Sequence, residues 1–145
     1  MAKTVGVALG GGGAKGLAHI AVLQTLDEMG VKVSALAGTS IGAIVGSGYA
    51  SGKSGNDLRA GIDQLLEVPR NFEQVKKTGR LFGWLDLLGV EFGKSHVLEA
   101  NAFIAEMETY VGAETFEELG IPLKVVAADF WKRREVVLEI GRAHV

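Results

Sequence analysis

Four consecutive glycines, residues 10–13, stand between the apolar run TVGVAL (4–9) and a stretch with helical apolar spacing. No other feature limits the fold so tightly. Residues 4–9 read as a buried strand. Beyond the glycines, AKGLAHIAVLQTLDEM (14–29) places apolar residues at 17, 20, 21, 23 and 26, which predicts a helix closed by Gly30. VKVSALAG (31–38) reads as a second buried strand. SIGAIVGSGYASG (40–52) reads as a helix whose small residues let it lie close to a sheet. Strand–helix–strand–helix with short connections demands a parallel sheet covered by helices.

The rest of the chain extends this plan. Residues 54–67 form a further amphipathic pattern, residues 70–94 are irregular, and residues 95–111 read as a helix with Ser95 as N-cap. TFEEL (115–119) suits a short turn. LKVVAAD (123–129) and REVVLE (134–139) read as strands joined in a hairpin across FWKRR, whose KRR (132–134) is taken as a solvated turn. Segment 81–89, LFGWLDLLG, is bulky and apolar behind Lys76, Lys77 and Arg80. A satellite core is the plainer account of it, and a peripheral lipid-surface contact the alternative.

Composition narrows the function classes. The chain has 145 residues, 48% of them hydrophobic and 22% charged, which suits one globular domain. Net charge of −2 supplies no basic footprint for nucleic acid. With no cysteine there is no disulfide framework, thiolate metal site or thiol catalysis. His19, His96 and His144 form no metal-binding motif such as H-E-x-x-H, so neither a metal nor a cofactor is expected. No secretory apolar run follows the first residues and none approaches a bilayer-spanning length, so a cytoplasmic protein is the expectation.

A second motif decides what the glycines are for. Gly38, Thr39, Ser40, Ile41 and Gly42 spell G-x-S-x-G where a strand passes into a helix, the context in which such a serine becomes a nucleophile held at the sheet edge. Both turns then fall at the carboxyl ends of adjacent strands, where open α/β sheets build their sites. A dinucleotide site requires an acidic residue at the end of the second strand, and SALAGTS has none. A P-loop requires Gly-Lys-Ser/Thr, whereas Lys15 is followed by Gly16 and Leu17. The loop therefore reads as an oxyanion hole beside a serine.

GGGGAKG after the first strand and GTSIGA after the second resemble the bacterial patatin-like phospholipases, and FEELGIPLKVVAAD resembles the strand region before that family's second catalytic motif. The resemblance covers nearly the whole chain. It implies a three-layer α/β/α sandwich with a mostly parallel sheet, and acyl hydrolysis of a lipid ester or phospholipid. By the same resemblance, Ser40 is the nucleophile and the amides of Gly11, Gly12 and Gly13 form the oxyanion hole. Lys15, Gly16, Gly38 and Gly42 support the two motifs, with Lys15 where the family often has arginine.

The family completes a Ser–Asp dyad from a later Asp-Gly-Gly or Asp-Gly-Ala, and no such triplet occurs here. Asp129 is the best carboxylate present, but its place before the second motif implies a structural role. Residues 140–145, IGRAHV, are what ATCGGAAGAGCACACGTC encodes, a string within a widely used sequencing adapter. The expectation is thus a domain over 1–139, truncated at its C-terminus, with 140–145 a non-native tail and the aspartate unread. Three alternatives stay open. They are a non-catalytic patatin-like regulator, a nucleotide-binding module, and a classical α/β-hydrolase, for which Ser40 stands too early. His19 reads as packed or solvated and His96 as a surface residue of a helix's first turn, neither as catalytic.

Overall fold

The computed structural model describes residues 3–66 and 110–141. Strand β1 (Thr4–Leu9) leads through the glycines into a 3-10 turn (Gly13–Leu17) and helix α1 (Ala18–Glu28). Strand β2 (Lys32–Gly38), helix α2 (Ile41–Ala50) and helix α3 (Gly55–Leu66) follow. A short 3-10 turn (Phe116–Glu118) then precedes β3 (Leu123–Asp129) and β4 (Arg134–Leu138). The sheet order is β1-β2-β3-β4, with β1, β2 and β3 parallel and β4 antiparallel to β3. This is the α/β class with a mostly parallel sheet that the sequence predicts. Where the sequence suggests an unbroken helix from residue 14, the chain first winds one tight 3-10 turn, in which Gly16 is pressed against Ile41 of α2.

The period of two along β1 turns Val5, Val7 and Leu9 to one face, where they join Val33 and Leu36 of β2 and Leu123 of β3. Ile20 and Leu23 of α1, Ile41, Val45 and Tyr49 of α2, and Leu58 and Ile62 of α3 complete that core. Leu23, Ile41 and Leu58 are fully buried, so truncating any one to alanine costs about 2–5 kcal/mol. A bulge between Val5 and Gly6 shifts the β1–β2 register, and Ser34 Oγ there donates to the Val5 carbonyl at 3.1 Å.

Polar contacts fix how the helices dock. Asp27 accepts hydrogen bonds from the Tyr49 hydroxyl and from the Gly55 amide (2.7 Å), tying α1 to α2 and to the start of α3. Burial, and then the hydrogen bond to Asp27, push the Tyr49 hydroxyl up to about 12. Ser54 and Asp57 cap α3 reciprocally: the Ser54 amide donates to Asp57 at 2.9 Å, and the Asp57 amide to Ser54 Oγ at 3.2 Å. The Ser54 hydroxyl, donating to the Asp57 carboxylate at 2.6 Å, and then the Ser54 amide hold that carboxyl below its usual range.

On the opposite face the sheet presents the small residues Gly6, Ala8, Ala35 and Ala37 beside Lys124. They floor an open groove of about 600 Å³ rimmed by Phe116 and Leu119. Among the described residues the helices pack on the face of Val5 and Leu9. The irregular stretch 70–94, its segment 81–89, and all but the last two residues of the helix expected over 95–111 lie outside the described residues.

Candidate active site

Two connections meet at the carboxyl edge of the sheet. The first is the elbow after β2. Its Thr39 amide donates to the Leu9 carbonyl at 3.1 Å, stitching it to the end of β1. Ser40 adopts φ 52° and ψ −130°, a conformation that L-residues avoid and that costs about 1–3 kcal/mol where its surroundings impose it. Helix α2 starts immediately afterwards, with the Ala43 amide donating to the Ser40 carbonyl at 2.8 Å. Ser40 is exposed, and its hydroxyl makes no capping bond to α2 and no side-chain hydrogen bond among the described residues. The amino end of α2 lends this position a partial positive charge.

Sterics explain the flanking glycines. A Cβ on Gly38 would stand 2.7 Å from Ala43 Cα, and one on Gly42 only 2.1 Å from the Leu9 carbonyl oxygen. A Cβ on Gly16 would fall 2.0 Å from Ile41 Cγ2. Strand, elbow and first turn thus interlock through hydrogens where any other residue carries a carbon.

The second connection is the glycine run. Gly12 (φ 141°) and Gly13 (φ 54°) turn the chain through the left-handed half of backbone space. Gly11 lies against the elbow, so that a Cβ there would be 3.4 Å from Ser40 Cβ. Among the described residues no hydrogen bond uses the amides of Gly11, Gly12 or Gly13 as donors, and of these glycines Gly11 lies against Ser40. The Lys15 amide closes the following turn on the Gly12 carbonyl at 3.2 Å, and the residue itself is exposed.

The structure thus sets Gly11 against Ser40, Gly42 against Leu9 and Gly10, Gly38 against Ala43, and Gly16 against Ile41. Asp129 is engaged in its own hairpin, accepting from the Lys132 amide at 2.9 Å and facing the Lys132 ammonium at 3.9 Å. His96 and His144 lie outside the described residues. His19 has a task that sequence reasoning missed. Its Nε2 is 2.9 Å from the Gly10 carbonyl oxygen, and because a carbonyl only accepts, Nε2 carries the hydrogen. The imidazole therefore pins the start of the glycine run from the second residue of α1. The only sequence signal was a polar ring set early in an otherwise apolar helix.

An exposed hydroxyl at a helix amino end, with Gly11 packed against it and its amide uncommitted among the described residues, is the kind of arrangement that acyl transfer uses. The family model described as patatin-like phospholipase matches residues 7–142. An uncharacterised NTE family protein of Mycobacterium bovis is 32% identical over 137 residues, covering 94% of this chain and 34% of that protein. Its Mycobacterium tuberculosis counterpart gives the same figures. Lysophospholipase NTE1 of Coccidioides immitis is 52% identical over 48 residues, 33% of this chain and 3% of that protein. The chain therefore spans about a third of the mycobacterial relatives it matches.

Proposed function

The chain belongs to the patatin-like phospholipase family, and from that premise we propose that it carries the nucleophile and oxyanion hole of a serine hydrolase acting on lipid esters such as lysophospholipids. The observation that carries this reading is Ser40, exposed at φ 52° on the elbow, with Gly11 packed against it. In this scheme Ser40 Oγ attacks the ester carbonyl carbon while its proton passes to an aspartate. The amides of Gly11, Gly12 and Gly13 stabilise the oxyanion, each such donor being worth about 10²–10³ in rate. Collapse breaks the ester C–O bond, and the aspartate returns the proton to the leaving alkoxide. Water then attacks the acyl-serine, releasing the fatty acid and restoring Ser40.

The aspartate is the part these 145 residues do not offer. They hold no Asp-Gly-Gly or Asp-Gly-Ala, and Asp129 is committed to Lys132. We assign the base to sequence beyond residue 139 of the gene, so the 145-residue chain alone is expected to be inactive. The test is fatty-acid release from lysophosphatidylcholine by the protein translated from the gene read on past codon 139. Release that falls by about 10³-fold or more in Ser40→Ala bears the reading out. Release that survives Ser40→Ala, or a complete gene product that releases nothing, overturns it; the second result favours a patatin-like regulator.

A further inference from the structure

The β3–β4 hairpin ends in an unusual tip. Phe130 and Trp131 are 81% and 89% exposed, and their rings meet edge to face with centroids 5.6 Å apart. The other large exposed apolar residues, Val22, Met29, Val137 and Ile140, are spread over separate elements, so this is the one adjacent aromatic pair among them. Lys132, Arg133 and Arg134 follow directly, all exposed, in a chain whose net charge is −2. Asp129, which takes Lys132, and Glu135 flank the run at the foot of the hairpin. Arg133 and Arg134 form no ion pair among the described residues. Two water-facing aromatic rings beside uncommitted cations have a natural counterpart in a lipid interface, where rings settle at headgroup level and cations meet phosphates.

Position gives the tip its meaning. β3 runs parallel to β2 with Val125 opposite Gly38, so Asp129 lies four residues past the level at which the serine elbow begins. At about 3.3 Å per residue the tip projects roughly 13 Å beyond the carboxyl edge. That is the edge that carries Ser40, on the neighbouring strand.

We propose that Phe130 and Trp131, with Lys132, Arg133 and Arg134, form an interfacial anchor that seats the Ser40 edge of the sheet on an anionic lipid surface. The orientation it implies rests on the lipid-hydrolase reading, but binding is measurable without turnover. Trp84→Phe leaves Trp131 as the single tryptophan of the 145 residues. Its emission should shift to the blue with vesicles of equimolar phosphatidylcholine and phosphatidylglycerol, and much less with phosphatidylcholine alone. In co-sedimentation with the mixed vesicles, Phe130→Ser/Trp131→Ser should weaken binding by about tenfold or more. Lys132→Gln/Arg133→Gln/Arg134→Gln should abolish the preference for phosphatidylglycerol.

All of these side chains lie in solvent, and far-ultraviolet circular dichroism checks that each variant folds. Ser40→Ala should bind vesicles as the unsubstituted 145-residue chain does, while hydrolysis is measured on the complete gene product, so loss of hydrolysis and loss of docking are separate results. Vesicle binding unchanged by the serine pair overturns the anchor. So does a serine pair that alters only the oligomeric state on gel filtration, which would make the tip a protein contact.

Discussion

The two connections at the carboxyl edge are both glycine-rich, yet they use glycine for opposite reasons. In the elbow the backbone of the flanking glycines is unremarkable and space is the constraint: a Cβ at Gly42 would enter the Leu9 carbonyl, and one at Gly38 the first turn of α2. In the loop after β1 there is room. A Cβ at Gly10 would meet nothing within 4 Å and one at Gly12 nothing nearer than 3.8 Å, but Gly12 sits at φ 141°. One connection is jammed into a single shape, and the other has more room but is bent where only glycine is at ease. A nucleophile needs the first kind of support, while amides that turn outward to meet an oxyanion need the second.

Substitutions separate the two. Gly42→Ala should destabilise most, by about 3 kcal/mol or more in denaturant unfolding, because the obstructing atom is backbone and cannot swing aside. A wild-type midpoint would show that elbow and strand are not interlocked. Gly12→Ala should cost about 1–2 kcal/mol through its backbone angle alone. A loss as large as that of Gly42→Ala would erase the distinction. Ser40→Gly should raise stability by about 1 kcal/mol, since glycine relieves the strained angle that serine bears. Gly10→Ala, with open space around it and no positive φ, should stay within about 0.5 kcal/mol of the parent.

Much of this edge was legible from the chain itself. Short apolar runs bounded by glycine located β1 and β2, and G-x-S-x-G at the second junction placed Ser40 where α2 begins. Short apolar runs marked β3 and β4, and FWKRR between them marked the hairpin. What sequence could not convey was contact across elements. Gly16 looked like a motif glycine, but its neighbour is Ile41 on another helix, and a side chain there would collide with it. His19 looked like an ordinary helix residue until the fold set its ring against the Gly10 carbonyl. The Phe130 and Trp131 rings were two hydrophobic letters in a turn, and only the exposure of their side chains separates an anchor from a core pair.

The pairing of β2 with β3 has its own consequence. It rests on three residue pairs, Leu36 with Leu123, Ala37 with Lys124 and Gly38 with Val125, whose partners come from distant parts of the chain. On either side the structure is local: β1, α1 and β2 form one crossover unit, and β3 with β4 one hairpin. Loop-closure entropy therefore concentrates in this short seam, and contact-order reasoning makes it the slow step of folding. It is also the natural line along which the native molecule opens below its global unfolding. The seam ends at Gly38, two residues before Ser40, so the serine elbow stands at the end of a zipper only three teeth long.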